Sequence, residues 1–302
     1  MGILAFALLI GAIILVLGGF YFSIVVTQPK TFSVDETYQF EVEKGKIIKE
    51  ELENYEKEEI VIHSQFDYPL YGEYYPQQNA KRTIIIIHGI TYTAYGSVKY
   101  MQIFRKQGFN ILLVDLRNHG RSGGKNTSFG YYEKYDIKTW ADWLFEKHKS
   151  IELLGVHGES MGAAIALQYA AIDLRCGFVI ADCPFCDAKE LFSYRLRQEY
   201  HLPGLFLIPA ANAISWLRTG FSFGSASPIR DLQDIQQPIL FIHGENDRYI
   251  PKEMSLALYN KKSGAKMLFL APNAGHAESY WNNRELYEQK IDQFLGDNSL
   301  LI

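Results

Sequence analysis

The sequence contains little cysteine and no excess of positive charge. Its 302 residues include three cysteines, and an odd number argues against an extracellular protein built on disulfides. The formal net charge of −4 argues against the basic surface that nucleic-acid binding requires, so no nucleic-acid partner is expected. Hydrophobic residues make up 48% of the chain, which is enough for one large core.

Metal-binding motifs are also lacking. The sequence has no HExxH motif and no carboxylate–histidine spacing that suggests a metal site. Cys183 and Cys186 have CxxC spacing, but no second such pair and no nearby histidine completes a ligand set. We interpret them as two cysteines at the end of a buried strand, and we predict neither a metal nor a cofactor.

No charged residue occurs between Gly2 and Val26. A helix over this stretch would be about 37 Å long, enough to cross a hydrocarbon layer of about 30 Å. The aromatic residues at 20–22 fit the aromatic belt of a membrane interface. A cleaved signal peptide would have a basic start and a small-x-small exit, and neither stands out. Residues 1–29 are therefore predicted to be an uncleaved, single-pass membrane anchor.

Residues 30–59 are rich in glutamate and lysine. They are predicted to form a charged, partly helical spacer that lifts the following domain off the bilayer. The lysines here are mixed with acidic residues, and no positive side chain precedes the apolar stretch. This distribution favours a cytoplasmic domain only slightly and leaves the side of the membrane undetermined.

From residue 60 onward, short apolar runs alternate with segments of helical length. The predicted strands are Ile60–Ser64, Leu70–Tyr75, Thr83–His88, Asn110–Asp115, Ile151–His157, Gly177–Asp182, Ile239–Gly244 and Lys266–Ala271. This alternation predicts an α/β domain over residues 60–302, with a mostly parallel central sheet and helices on both faces. Functional sites in such sheets lie at the carboxyl ends of the strands.

The motif Gly158-x-Ser160-x-Gly162 stands between one of these strands and a predicted helix, Met161–Ala171. This is the context of a nucleophile elbow, a strained turn that holds a serine hydroxyl clear of the sheet. The motif alone is a weak signal, so its interpretation depends on whether partner residues follow.

Partner residues do follow, at the ends of later predicted strands. Asp247 comes after Ile239–Gly244, and His276 comes after Lys266–Ala271. A serine needs an imidazole base to become nucleophilic at neutral pH, and the imidazole needs a carboxylate to hold its tautomer. Asp182 also ends a strand and is the rival acid. The histidines at 88, 119, 157 and 243 are interpreted as structural.

Taken together, these motifs resemble those of α/β-hydrolase-fold serine hydrolases. The similarity is to the monoacylglycerol-lipase-like and serine-aminopeptidase-like group, including membrane-anchored bacterial members, and it covers roughly Ile60 to Leu295. The motifs are His88-Gly89-Ile90, Asp115-x-Arg117-Asn118-His119-Gly120-x-Ser122, Gly158-Glu159-Ser160-Met161-Gly162, His243-Gly244-x-x-Asp247-x-x-Ile250-Pro251 and Ala274-Gly275-His276. The chain order of nucleophile, acid and histidine is also that of this fold.

The resemblance implies a role for each site residue. Ser160 would be the nucleophile, His276 the base and then the acid, and Asp247 the carboxylate that orients the imidazole. The oxyanion hole would consist of the backbone N–H groups of Ile90 and Met161, with Thr91 as the alternative donor in its loop.

A long insert, at about residues 184–236, separates two of the predicted strands. It contains aromatic residues together with Pro and Gly, which suggests a small helical cap over Ser160. An apolar roof beside a membrane anchor would favour acyl-chain substrates. The alternative left open is that these aromatic residues pack the cap onto the core.

The sequence therefore predicts a membrane-anchored serine hydrolase that cleaves carboxylic esters, acyl or lipid-like, through an acyl-serine intermediate. Its expected partners are a small-molecule ester or lipid substrate and the membrane, and the oligomeric state stays open. One alternative is an amidase, peptidase or acyltransferase that uses the same triad. Another is a catalytically silent binding module tethered to the membrane.

Overall fold

The computed structural model describes residues 2–301. Met1 and Ile302, which begin the predicted anchor and end the predicted domain, lie outside the described residues. The strands are Glu58–His63 (β1), Pro69–Tyr75 (β2), Arg82–Ile87 (β3), Phe109–Val114 (β4), Leu153–Glu159 (β5), Cys176–Asp182 (β6), Ile239–Gly244 (β7) and Lys266–Ala271 (β8).

Helices precede the sheet, alternate with its strands and close the chain. They are Gly2–Thr27 (α1), Val34–Glu43 (α2), Lys49–Glu53 (α3), Met101–Lys106 (α4), Glu133–Lys147 (α5), Met161–Ala170 (α6), Ala188–Tyr200 (α7), Gly204–Thr219 (α8), Pro228–Asp231 (α9), Glu253–Lys261 (α10), Ser279–Asn282 (α11) and Arg284–Asp297 (α12). Short 3-10 turns cover Ala94–Tyr100, Phe223–Ser225 and Leu232–Asp234.

The strands form one eight-stranded sheet in the order β1-β2-β4-β3-β5-β6-β7-β8. Strand β2 is antiparallel to both of its neighbours, and from β4 to β8 adjacent strands are parallel. The predicted α/β class and mostly parallel sheet are confirmed, and the strand ends lie within two residues of the predicted ones.

The sheet is covered on both faces, which explains the long apolar runs of its strands. In β3, Ile85 and Ile87 belong to one buried cluster, while Ile84 and Ile86 belong to the other. Since successive side chains of a strand point to opposite faces, a strand between two helical layers needs apolar residues at every position.

Helix α1 is the one helix among the described residues that is long and apolar enough to cross a membrane. Most of its side chains are exposed, and its buried positions are Gly19, Ser23 and Thr27. The end of α1 that leads into the rest of the chain is therefore the part that packs against other elements.

The predicted spacer, residues 30–59, lies against the domain in the structure. Helix α2 begins with a capping box, in which Ser33 and Glu36 each bond the other's backbone N–H. Glu41 and Ile47 are buried, and the Phe32 N–H donates to the carbonyl of Thr91 at 2.8 Å. The apolar residues scattered among the charges provide this packing, so the segment adds to the domain surface.

The predicted cap consists chiefly of α7 and α8. Phe192, Phe221 and Phe223 are buried in it, and Phe192 packs edge-on against Phe129 with ring centroids 4.8 Å apart. These aromatic residues thus join the cap to the core, as the second of the two sequence-based interpretations expected.

Candidate active site

Ser160 occupies a strained turn between β5 and α6. Its backbone angles are φ 57° and ψ −118°, a conformation that side-chain-bearing residues rarely adopt. The Ser160 N–H donates to the carbonyl of Asp182, 2.7 Å away on the neighbouring strand. This bond and the start of α6 together hold the turn in place, so the hydroxyl has a defined position.

The two glycines of the motif are required by close backbone contacts. A Cβ atom at Gly158 would lie 2.2 Å from the Gly162 carbonyl oxygen, and one at Gly162 would lie 2.3 Å from the Ile87 oxygen. Neither overlap involves a flexible side chain that could move aside. The spacing of the motif therefore follows from the tight passage of α6 over the end of the sheet.

Three side chains from loops after β5, β7 and β8 form a hydrogen-bonded chain. The Ser160 hydroxyl donates to His276 Nε2 across 2.9 Å, and His276 Nδ1–H donates to Asp247 Oδ2 across 2.7 Å. The carboxylate holds the imidazole in the tautomer whose Nε2 can accept the serine proton. The sequence-predicted residues are thus brought together at the carboxyl ends of the strands.

The surroundings of Asp247 keep it ionised. Its Oδ1 accepts the N–H groups of Tyr249 and Ile250 at 2.8 and 2.9 Å, and His243 Nε2 lies 3.2 Å from its Oδ2. Burial alone would raise the pKa of Asp247, but the hydrogen bonds of His243 and His276 hold it well below its usual range. A negative charge thus faces His276 at neutral pH.

The rival acid, Asp182, has other partners. Its carboxylate accepts the Ser279 hydroxyl at 2.9 Å and the Tyr287 hydroxyl at 3.1 Å. Burial raises the pKa of Asp182 to about 6. Because both nitrogens of His276 are engaged with Ser160 and Asp247, Asp182 serves to bond α11 and α12 to the sheet.

The loop after β3 approaches Ser160 closely. A Cβ atom at Gly89 would stand 3.4 Å from the Ser160 Cβ, so the next residue, Ile90, lies beside the turn at Ser160. Among residues 2–301, the N–H groups of Ile90 and Met161 donate to no acceptor. The N–H of Thr91, the alternative donor, points at His119 Nε2 across 3.4 Å.

Two buried histidines hold this loop. His88 Nδ1–H donates to the Gly89 carbonyl at 2.7 Å, and His88 Nε2 accepts the Leu116 N–H at 3.0 Å. Burial lowers the pKa of His88 to about 3, and it also lowers the pKa of His119. Both rings are therefore neutral and can accept hydrogen bonds from backbone N–H groups, which agrees with the structural role predicted for them.

Several neighbours of the site could not be read from the sequence. The Tyr249 ring lies 4.7 Å from the His276 ring, and the Arg195 guanidinium of cap helix α7 lies 3.7 Å from the Tyr249 ring centre. A buried ion pair, Lys99 Nζ to Glu159 Oε2 at 2.5 Å, stands next to the serine turn. No local motif marks these contacts, because they join segments far apart in the chain.

A cavity of about 320 Å³ adjoins His276. The predicted spacer contributes Phe40, Glu41, Lys44 and Lys46 to its wall. Charged side chains and aromatic rings line it together, and these lining residues lie outside the predicted cap. The cavity offers room for a group with polar and apolar parts beside the imidazole.

One group of side chains brings potential metal ligands together among the described residues. The ligand atoms of Cys183, Asp247 and His276 lie within 4.8 Å of one another. The carboxylate and imidazole already bond each other, and burial raises the pKa of Cys183 well above its usual range, so the thiol keeps its proton. The donor set fits a hydrogen-bonded chain better than a metal site, since a metal requires the thiolate.

Comparison with known proteins places the chain in a family. The family model described as "alpha/beta hydrolase fold" matches residues 82–206. The protein YqkD of Bacillus subtilis is 40% identical over 98% of this chain and 97% of its own length. The chain belongs to the α/β-hydrolase family. This hydrolase is also 26% identical to the human protein ABHD12B, over 64% of this chain and 55% of that protein.

Solved structures agree with the fold of the hydrolase. An esterase of Pyrococcus furiosus, Pf2001, matches with a TM-score of 0.70 at 21% identity, over 90% of this chain and 97% of that one. An acylaminoacyl peptidase of Pyrococcus horikoshii matches with a TM-score of 0.62 at 16% identity, over 82% of this chain and 42% of that one. At these identities the likeness concerns the fold alone.

Proposed function

We propose that this hydrolase cleaves carboxylic esters through an acyl-serine intermediate on Ser160. The observation that carries the proposal is the hydrogen-bonded chain from Ser160 through His276 to Asp247, with the serine on a strained turn. A serine hydroxyl bonded to an imidazole that is itself oriented by a carboxylate is the arrangement that activates a nucleophile.

In the first half of the reaction, Ser160 Oγ attacks the ester carbonyl carbon and His276 Nε2 takes the hydroxyl proton. The resulting imidazolium is stabilised by the Asp247 carboxylate, which stays unprotonated because its pKa is held low. The tetrahedral intermediate then collapses, the bond to the leaving oxygen breaks, and His276 gives its proton to that oxygen. An alcohol leaves and the acyl group remains on Ser160.

In the second half, water takes the place of the alcohol. His276 Nε2 accepts a proton as the water oxygen bonds to the acyl carbon, and it returns that proton to Ser160 Oγ as the acid departs. In both halves the carbonyl oxygen gains negative charge, for which the N–H groups of Ile90 and Met161 are the proposed donors. Loss of one such donor costs about 2.7–4 kcal/mol in the barrier.

We also propose that α1 is a retained membrane anchor and that the hydrolase domain with its cap occupies residues 60–302. Retention is supported by the contacts of α1 with the cap, since Arg218 of α8 donates to the Ser23 hydroxyl at 2.9 Å. Cleavage after α1 would remove a helix against which the folded domain packs. An enzyme held at a bilayer meets acyl-chain esters at high local concentration, which favours lipid-like substrates.

The test is labelling by a fluorescent fluorophosphonate, which reacts with activated serines. We expect the full-length protein in detergent to be labelled and the Ser160→Ala variant to remain unlabelled. Ser193→Ala is a matched control, because this serine lies on cap helix α7 and its hydroxyl bonds the Lys189 carbonyl. Circular dichroism of all three proteins shows whether they share the same fold.

A panel of p-nitrophenyl esters and p-nitroanilides then separates the substrate classes. Faster turnover of four- to ten-carbon esters than of acetate supports the acyl-ester proposal. Preference for the anilides would favour an amidase or peptidase. Transfer of the acyl group to an added alcohol, in place of water, would favour an acyltransferase. If the folded wild-type protein takes up no label, the hydrolase proposal fails in favour of a silent binding module.

The proposed oxyanion loop yields a prediction for His119. His119→Ala removes the acceptor of the Thr91 N–H, so the loop that carries Ile90 loses a support. We expect kcat for a p-nitrophenyl ester to fall about 10- to 100-fold with little change in KM, because misplacement of a donor affects the transition state most. His119→Gln keeps an acceptor and should restore part of the rate. An unchanged kcat in His119→Ala would show that the loop does not need this support.

A further inference from the structure

Helix α8 of the cap packs lengthwise along the end of α1. A Cβ atom at Gly19 would lie 3.0 Å from the Ala210 Cβ, so small residues let the two helices approach closely. Near the other end of the contact, Arg218 donates to Ser23 and its guanidinium lies 5.3 Å from the Phe20 ring centre. The helices therefore run in the same direction, with the first turns of α8 level with Gly18 and Gly19 of α1.

The outward face of α8 is apolar from end to end. Its exposed residues are Leu205, Phe206, Pro209, Ala213, Trp216 and Leu217. The exposed fractions of Leu205, Phe206 and Leu217 are 73%, 70% and 74%. Arg218 is the sole charged residue of α8, and it points back to α1. A helix facing water would carry polar residues on this face, so the surface fits an apolar partner.

The length of α1 identifies that partner. The part of α1 that precedes the contact, residues 2–17, is about 24 Å long, whereas the hydrocarbon layer is about 30 Å thick. About 6 Å of hydrocarbon therefore remains for the part of α1 that lies beside α8. Tilting the helix would increase this remainder, because a tilted helix reaches less far along the membrane normal. The first turns of α8 then lie at the depth of the acyl chains.

We propose that α8 is a second membrane-inserted element, whose apolar face lies among the acyl chains of the bilayer beside α1. The inference rests on the proposed role of α1 as a membrane anchor. Phe206 lies in the hydrocarbon, and Trp216 and Leu217 lie near the headgroups, where tryptophan is favoured. The exposed apolar surface of α1 continues onto α8 without a charged residue between them, so the same lipids cover both.

This placement has a consequence for the active site. The cap helix α7 touches the site through Arg195 and Tyr249, and it is followed directly by α8. The bilayer therefore fixes the position of the cap beside Tyr249 and His276. A substrate with an acyl chain can pass from the membrane to the site along the cap without crossing bulk water.

The test measures the depth of single labels in the full-length protein, reconstituted in vesicles of phosphatidylcholine and phosphatidylglycerol. Phe206→Cys and Leu217→Cys are labelled with the fluorophore NBD, and quenching is compared between doxyl lipids in the vesicle and iodide in the buffer. Leu174→Cys is the matched control, since this leucine is 81% exposed at the opposite, amino-terminal end of the strands. Ile13→Cys reports on α1 itself. The native cysteines are buried, and unsubstituted protein is the labelling blank.

We expect the label at 206 to be quenched severalfold more by 5-doxyl lipid than the label at 174, and the label at 217 to be quenched by 5-doxyl lipid less than the label at 206 but more than the label at 174. The label at 13 should respond most to 12-doxyl lipid. Ala213→Cys barely changes side-chain volume and should give the same result on the same face. If the label at 13 is lipid-quenched but those at 206 and 213 are quenched by iodide, the inference is wrong and the anchor stands. If the label at 13 is not lipid-quenched, the anchor proposal itself fails. A third outcome is that the labels at 206 and 213 are protected from both quenchers. If this protection disappears when the protein is diluted with more lipid, the inference is wrong and a second copy of the chain covers the face.

Discussion

Alanine at position 160 is expected to lower kcat for ester hydrolysis by about 10⁵- to 10⁶-fold. In the proposed mechanism the variant removes the oxygen that forms the acyl intermediate, while its small side chain fits the turn that the two flanking glycines define. The residual rate comes from substrate binding and from the oxyanion donors. The measurement is the rate of p-nitrophenyl butyrate hydrolysis by purified full-length protein in detergent, with Ser193→Ala as the control.

A second variant distinguishes a catalytic unit from independent contributions. If Ser160 and His276 act together, the double replacement Ser160→Ala/His276→Ala should cost no more than Ser160→Ala alone, because a base without its nucleophile has nothing to activate. Additive losses would contradict the proposed mechanism, and so would a Ser160→Ala enzyme that keeps more than about one hundredth of the wild-type rate.

Asparagine at position 247 is expected to lower kcat by about 10⁴-fold. The amide keeps the size of the side chain, and its oxygen can still accept the N–H groups of Tyr249 and Ile250. It carries no charge to stabilise the His276 cation, and it favours the wrong tautomer when its NH₂ group faces the imidazole. The loss therefore concerns the rate, while the thermal unfolding temperature should change little.

The matched control is Asp182→Asn. Its amide can accept the Ser279 hydroxyl and donate to the Tyr287 hydroxyl, so the contacts with α11 and α12 persist. We expect this variant to hydrolyse the ester at nearly the wild-type rate. A large loss in Asp182→Asn together with an active Asp247→Asn enzyme would overturn the assignment of the acid.

The parts of the fold that follow from local patterns could be predicted from the sequence. Runs such as Ile84–Ile87 are apolar at every position, which is the pattern of a strand buried on both faces, and the structure has β3 there. Likewise, Gly158 and Gly162 mark a turn whose steric demands are local enough to appear as a motif. Because parallel strands end at one edge of the sheet, the same reasoning predicted that Ser160, Asp247 and His276 would meet.

The tertiary structure gives the physical reason why Asp247, and not Asp182, faces the imidazole. Both residues stand at strand ends, and the sequence favoured Asp247 only through the resemblance of its motif. In the structure the Asp182 carboxylate is bonded by Ser279 and Tyr287, which come from the end of the chain. In the same way, the Thr91 N–H, which the sequence offered as the alternative oxyanion donor, points at His119 Nε2 in the structure.

By itself, then, the sequence determined the class of fold, the membrane-length helix, the turn at Ser160 and the family, because these depend on neighbouring residues and their periodicity. Only the tertiary structure decided which residues bond the Asp182 carboxylate, that residues 30–59 lie on the domain, and that the cap packs along α1. Each of these depends on contacts between segments far apart in the chain. Such contacts depend on how the shapes and polar groups of two segments match, and this match cannot be derived from the composition of either segment alone.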